Sequence, residues 1–421
     1  MISGVGGPQM TLGREEMRET LARAFADRVP DGERVLVIFP DGTRTAPTAL
    51  LFETLYELLG RRLAQFDVLI ALGTHPPMDE EAIAQLIGAT AMERADRYPG
   101  VHVYNHEWDQ PDRLVTIGVI SRADAAELTG GLLTEEVAVT LNRRILDYDR
   151  LLICGPVFPH EVAGFSGGAK YLFPGIAGPE IINFTHWLGA LVTSMGTIGV
   201  IDTPVRRVIT RAAGLVPRPI DCVALAMDGE TLRGVYAGDH EEAFRAAAAL
   251  SAQLNIRYEP HPFTRVLSMP ATRYDDLWTA AKAMYKTEPV VADGGEVIIY
   301  APHISEVSYT HGALIDAVGY HVRDYFLKQW ERFADVPGAI LAHSTHVKGA
   351  GQYDATSGVE TPRIQVTLAT SIPEERCRRI NLGFRDYREI APEQWANRED
   401  EGILLVRRAG EVLYRLRDER A

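Results

Sequence analysis

Cysteine is scarce: three in 421 residues, Cys154, Cys222 and Cys377, far apart and without a CxxC pair. That argues against a disulfide framework and against a thiolate zinc site, and it is the usage expected of a cytoplasmic protein. Long apolar runs are missing as well. The stretch Leu151 to Phe158 is far below membrane-spanning length, and the Gly-rich start from Met1 to Met10 has no basic segment leading into an apolar one. Neither export nor a membrane partner is expected. Positive charge is in deficit too, with a formal net charge of -14 and no block of consecutive Lys or Arg. A nucleic-acid partner is therefore not expected, although a few placed cations can still bind small anions.

Alternation is what the chain does have. Met17, Leu21, Ala24 and Phe25 recur at helical spacing, and Arg34 to Phe39 is a β-branched apolar run closed by Pro40-Asp41-Gly42. Next come a helix-like Leu50 to Leu63, a strand Asp67 to Leu72, a helix near Glu80 to Leu86 and a strand Leu151 to Gly155. Strands alternating with helices predict an α/β fold with largely parallel sheets, and the length predicts two α/β domains. After an apolar stretch Asp221 to Met227 and an Ala-rich helix Glu241 to Leu254, the Pro260 to Pro262 region reads as a linker. The boundary is placed there, giving an N-terminal domain 1-262. The pattern restarts with strand Arg265 to Met269, helix Asp275 to Met284, strand Glu296 to Tyr300, a helix around Tyr320 to Phe333, and strands near Ala339 and Ile364, a second domain 263-390. Gly402 to Leu416 reads as a hairpin turning at Ala409-Gly410, within a segment 391-421 expected to pack back on the first domain.

The densest chemistry is His160-Glu161-Val162-Ala163-Gly164-Phe165-Ser166-Gly167-Gly168-Ala169-Lys170, then Pro174-Gly175 and Thr185-His186. It comes after a buried-looking strand, where open α/β sheets place ligands. Glycines let backbone approach a ligand, and two histidines with a lysine supply an acid/base, a metal ligand and an amine nucleophile. A phosphate-binding GxxxxGK[ST] loop fails, because Ala169 precedes Lys170 and Tyr171 comes after it. Gly164 to Gly168 matches the GxSxG hydrolase elbow, leaving a serine hydrolase using Ser166 as an alternative. Residues 160–163 interrupt the strand that the elbow requires, however. The bland reading is a Gly-rich turn with two satisfied imidazoles.

The run His160 to Lys170, with Pro174-Gly175 and His186, resembles the signature of the nickel-pincer lactate racemase family, and the order of the other motifs extends the resemblance over most of the chain. It implies an active site in the interdomain cleft and a nickel-pincer nucleotide joined covalently to Lys170, with His186 as the metal ligand. Such a cofactor can be lacking in recombinant protein, because enzymes that synthesise it are transient partners. Soft sulfur plus one imidazole suits planar nickel. The family's two acid/base histidines fall on His160 and on His75, in Gly73-Thr74-His75-Pro76-Pro77. Its Asp-x-x-Arg turn falls on Asp41-Gly42-Thr43-Arg44, with Arg44 on the substrate and Asp41 and Thr43 toward the cofactor, as are Gly167, Gly168 and Pro174.

The family's substrate-binding segment falls on Trp278-Thr279-Ala280-Ala281-Lys282, where Lys282 matches while Trp278 and Thr279 depart from Tyr-Gln; Ala163 stands in place of a serine. His343, His346 and Lys348 replace more apolar groups, which points to a polyhydroxylated acid such as an aldonate, with an exposed loop as the other reading. The expected reaction is inversion at C2 of a small 2-hydroxy acid, as a racemase or epimerase. Its rivals are a metal-free racemase using two bases and a non-catalytic binder of the cofactor or a sugar acid. Asn105-His106-Glu107-Trp108-Asp109 reads as a hydrogen-bonded structural corner.

Overall fold

The computed structural model describes residues 2–417; Met1 and residues 418–421, the outermost parts of the Gly-rich start and of the C-terminal segment, lie outside them. Two compact units emerge. The first holds residues up to Phe158, Phe165–Thr185 and Ile201–Leu254, and the second holds Pro159–Gly164, His186–Val200 and the chain from Asn255 onward. A single cut at 262 misses this interleaving, because short segments around the Gly-rich motif belong with the C-terminal half.

The first unit is built on seven strands: β1 (Ile2–Gly6), β2 (Arg34–Pro40), β3 (Gln65–Ala71), β4 (Val103–Asn105), β5 (Arg150–Pro156), β6 (Ile220–Asp228) and β7 (Thr231–Asp239). Their spatial order is β1-β7-β6-β5-β2-β3-β4. β6, β5, β2, β3 and β4 run parallel, while β7 and β1 add an antiparallel edge. The central strands are apolar on both faces: Val35, Leu36, Val37, Ile38 and Phe39 are all buried, which a parallel sheet covered on both sides demands. Helix α1 (Arg14–Phe25) turns Met17, Leu21 and Phe25 into that core. The Gly-rich start of the chain is strand β1; five residues with two glycines carry too little period to show it in the sequence. From β2 the chain moves outward through β3 and β4, then returns to β2's other side at β5. This reversal is where such sheets bind ligands, beyond the carboxyl ends of the strands.

The second unit has a five-stranded parallel sheet. Its strands are β9 (Phe263–Pro270), β10 (Val291–Ala301), β11 (Gln365–Thr370), β12 (Gly383–Phe384) and β13 (Ile403–Ala409), ordered β12-β11-β10-β9-β13. β8 (Ile256–Glu259) pairs with β14 (Leu413–Leu416). The expected C-terminal hairpin is therefore wrong: β13 and β14 pair in parallel with different partners. Gly410 turns the chain against Tyr274 rather than back on itself. The same pairing puts these strands in the second unit, with β14 against β8, a strand that falls within residues 1-262. The strand expected near Ala339 is a helix, Gly338–Lys348, started after Pro337 and stopped at Gly349; a fully apolar helix core reads like a buried strand when its period is masked. The single helix expected from Asp275 to Met284 is two four-residue pieces, Leu277–Ala280 and Lys282–Tyr285.

Candidate functional site

In the first unit the chemistry gathers at the ends of β2, β3 and β5. Asp41 comes directly after β2, and its carboxylate meets His75, four residues past β3, with Oδ2 2.5 Å from Nδ1. The carboxylate also accepts from the Thr43 amide at 3.1 Å and the Thr43 hydroxyl at 2.6 Å. Burial alone would raise the Asp41 carboxyl, but the His75 charge and hydrogen bond, with those from Thr43, outweigh it and hold the group well below the usual carboxylate range. The carboxylate thus stays ionised and fixes the imidazole, leaving Nε2 as the nitrogen available for proton transfer. Asp41 and His75 are 34 residues apart, so no local spacing announces the pair; adjacency of β2 and β3 makes it.

Lys170 stands in a short turn, Gly168–Tyr171, after β5. Two backbone bonds knit this turn to the His75 loop: Gly175 N–H donates to Lys170 O at 3.2 Å, and Gly73 N–H donates to Gly175 O at 2.9 Å. Gly175 permits that approach, since a Cβ there would sit 2.2 Å from Tyr171 O. The residue before it is Pro174, whose peptide bond with Phe173 is cis. Gly167 and Gly168 have positive φ, and a Cβ on either would run into Val157 or Phe244. Their bareness is thus already used by protein packing. Arg44 is half-buried, and its charge partly offsets the burial that raises the Tyr171 hydroxyl. Tyr171 itself donates to Pro156 O at 2.8 Å.

Ser166 is buried, and its Oγ accepts from Phe158 N–H at 2.9 Å while lying 3.4 Å from Pro156 O. It braces the loop, and the chain beyond it enters a short 3-10 turn rather than the helix of a nucleophile elbow. His106 has both ring nitrogens engaged, Nε2 with Ala177 O at 2.9 Å and Nδ1 with Asn142 at 3.1 Å. Burial lowers it to about 4. A neutral, fully satisfied imidazole is a structural corner.

The second unit holds His160 and His186. His160 is buried; its Nδ1 accepts from Val162 N–H at 3.1 Å and lies 3.5 Å from Glu161 Oε2. His186 is half-buried on helix α2 (Pro179–Val192). Lys282, only 6% exposed, donates to Thr279 O at 3.0 Å, and its ammonium lies 5.2 Å from the Tyr274 ring centroid. Asp276 organises this stretch by accepting from the Thr279 amide and hydroxyl at 2.9 and 2.8 Å. Trp278 stacks on His343 at 4.1 Å and lies 4.6 Å from His311. His343 and His346 are buried in the helix Gly338–Lys348, not on an exposed loop. Burial lowers them to about 3 and about 4, so both are neutral at neutral pH. His343 Nε2 meets Trp278 O at 3.2 Å, while Nδ1 of His343 and Nε2 of His346 have no hydrogen-bond partner among the described residues. Lys348 donates to Asn381 O at 2.6 Å.

Among the described residues no helix is long and apolar enough to cross a membrane. Residues 14–197 match the family model described as the lactate racemase N-terminal domain. Lactate racemase of Thermoanaerobacterium thermosaccharolyticum is 22% identical over 66% of this chain and 62% of its own length. Lactate racemase of Lactiplantibacillus plantarum is 23% identical over 63% of this chain and 59% of its own length. The matches thus span about three fifths of each curated relative. Among solved structures, a Thermotoga maritima protein superposes with a TM-score of 0.89 at 33% identity, covering 98% of this chain and 100% of that one. The lactate racemase apoprotein of T. thermosaccharolyticum superposes with a TM-score of 0.69 at 18% identity, covering 96% and 93%; this last likeness shows a shared fold. Through residues 14–197 the chain is similar to the lactate racemase N-terminal domain, and over nearly its whole length it shares the fold of the lactate racemase apoprotein.

Proposed function

We propose that this protein is a racemase or epimerase that inverts C2 of a 2-hydroxy carboxylic acid, with His75 and His160 as its acid/base pair. The observation that carries this reading is the Asp41–His75 pair, hydrogen-bonded at 2.5 Å beside the switch between β2 and β5 and tied through Gly73 and Gly175 to the Lys170 turn. An ionised Asp41 holds His75 with one nitrogen poised to take a hydroxyl proton and stabilises the imidazolium that results. His160, itself fixed by the Val162 amide, is the second proton handler, so each enantiomer has its own. Arg44 and Lys282 are the cations for the substrate carboxylate.

The donor set fits the nickel-pincer nucleotide. Among the described residues no group of three or more His, Cys, Asp or Glu could enclose a metal ion. A metal that arrives with its own sulfur ligands needs only one protein imidazole and a tether. His186 would be that ligand and Lys170 that tether. When bound, the group supplies reversible hydride acceptance from C2, chemistry that no side chain here can perform.

The second unit favours a substrate with a polar tail over lactate. Two buried imidazoles present unpartnered nitrogens, and beside His346 lies a cavity of about 90 Å³ lined by Thr193, Ser194, Glu288, Arg323 and Thr345. Such groups need hydrogen-bonding partners, and an aldonate such as gluconate has them where a methyl group does not.

The test is the intact mass of protein from its native host, with nickel analysis, and then chiral assays on lactate, malate and aldonates. An adduct on Lys170 and inversion with the C2 hydrogen retained in D2O are expected. Wash-out of that hydrogen would point instead to proton abstraction by two bases without the cofactor, and binding without inversion would favour the non-catalytic reading.

A further inference from the structure

Helix α3 (Pro204–Ala213) starts after Thr203, whose hydroxyl caps the Arg206 amide at 3.0 Å. Val205, Val208, Ile209 and Ala212 form its buried stripe, and Arg206 lies within that stripe at 2% exposure. Burying a cation is costly unless it is well bonded. Its guanidinium reaches past the helix to the turn that carries Lys170. Nη2 donates to Phe165 O and Nη1 donates to Gly167 O at 3.3 Å. The group stacks at 4.0 Å on Phe244, the ring against which Gly168 is also packed. Burial lowers the guanidinium to about 10, so it remains charged at neutral pH. Gly167 O is shared, accepting from the Lys170 amide at 3.3 Å as well.

We infer that Arg206 is a positioning residue for Lys170: its planar fork grips the carbonyls on both sides of Ser166 and so fixes the turn from which the lysine amine projects. The geometry needs a fork. Two carbonyls two residues apart are held by one rigid group, which a point-charge ammonium on a flexible stem cannot do. This assignment rests on the reading of Lys170 as the reactive amine and adds a residue 36 positions downstream to its support.

The test is competitive acetylation of the full-length chain by acetic anhydride with peptide mass readout. The ratio of labelling at Lys170 to that at Lys328, whose side chain is 47% exposed, is compared across wild type, Arg206→Lys and Arg206→Met below each protein's melting transition. Arg206→Met loses the cation altogether and is expected to melt earliest, so Arg206→Lys is decisive. The expected result is a change in the ratio of about tenfold in Arg206→Lys, the scale of effect produced by misplacing a reactive group by a fraction of an ångström. An unchanged ratio in Arg206→Lys overturns the assignment, even if melting drops, because a merely structural role lowers melting without moving Lys170. The labelling needs no cofactor, so its outcome is separate from that of the adduct mass, which tests the role of Lys170 itself.

Discussion

Around His75 the first unit uses short polar bonds between strand ends, whereas around His343 the second uses stacked rings and deep burial. The ionised Asp41 carboxylate holds His75 through a hydrogen bond, whereas burial under the stacked Trp278 ring keeps His343 neutral, at about 3. The difference teaches what each histidine can do. An imidazole beside an ionised carboxylate cycles protons, while one stripped of water and carboxylates offers only a fixed donor and a fixed acceptor. On the proposed function, proton transfer would fall to the first kind and substrate recognition to the second.

Breaking the first arrangement should have the largest effect. His75→Ala is expected to lower kcat by about 10²–10⁴-fold with the fold intact, the range typical of a lost general acid/base. Steady-state kinetics on cofactor-loaded protein would check it, and near-normal kcat would remove His75 from the mechanism. Asp41→Asn should cost less than His75→Ala and should also change acid stability. Because the folded Asp41 carboxyl is depressed, the stability that it contributes is present above its unfolded value of about 4 and is lost as pH falls toward the folded one. Wild type and Asp41→Asn should therefore differ in melting temperature at pH 7, and the difference should shrink progressively only as pH falls below about 4.

Gly175→Ala tests the backbone tie. Its Cβ would overlap Tyr171 O, and a destabilisation of about 1–3 kcal/mol is expected from chemical denaturation. In the second unit the sign of the pH effect rests on neutral imidazoles. His343 and His346 are depressed in the folded protein, so the unfolded chain binds more protons below about pH 6.5, and stability should fall from there down to about pH 4. His346→Phe should flatten that slope; an unchanged slope would mean that His346 is not buried neutral. The smallest effect is expected from Trp278→Phe, which keeps a stacked ring on His343 and should alter KM by only a few-fold.

In the first unit the candidate residues follow apolar runs: Asp41 closely after Arg34 to Phe39, His75 a few residues after Asp67 to Leu72, and Lys170 further on, beyond the Gly-rich segment that comes after Leu151 to Gly155. A strand end leading into a turn is a local signal, and parallel pairing then brings the turns together. The Asp41–His75 bond was not legible, since it depends on which strands are neighbours. Arg206 left a faint trace, an arginine at a buried-stripe position among Val205, Val208 and Ile209, with its carbonyl partners some 40 residues upstream. In the second unit the run Ala339 to Ala342 misled because an apolar helix inside a core has no polar face to reveal its period. The end of the chain misled because two strands near a glycine look like a hairpin, whichever partners they choose.

Strand β13 has a consequence for synthesis. It flanks β9 along the open side of the second sheet, yet some 130 residues separate the two in the chain. On the ribosome, Arg265 to Ser268 must therefore wait with an unsatisfied flank until residues 403–409 have left the exit tunnel. A stalled or prematurely terminated product would expose that flank to other nascent copies, so truncation before Ile403 should provoke aggregation during expression far more strongly than changes in the Asp41, His75 or Lys170 turns do.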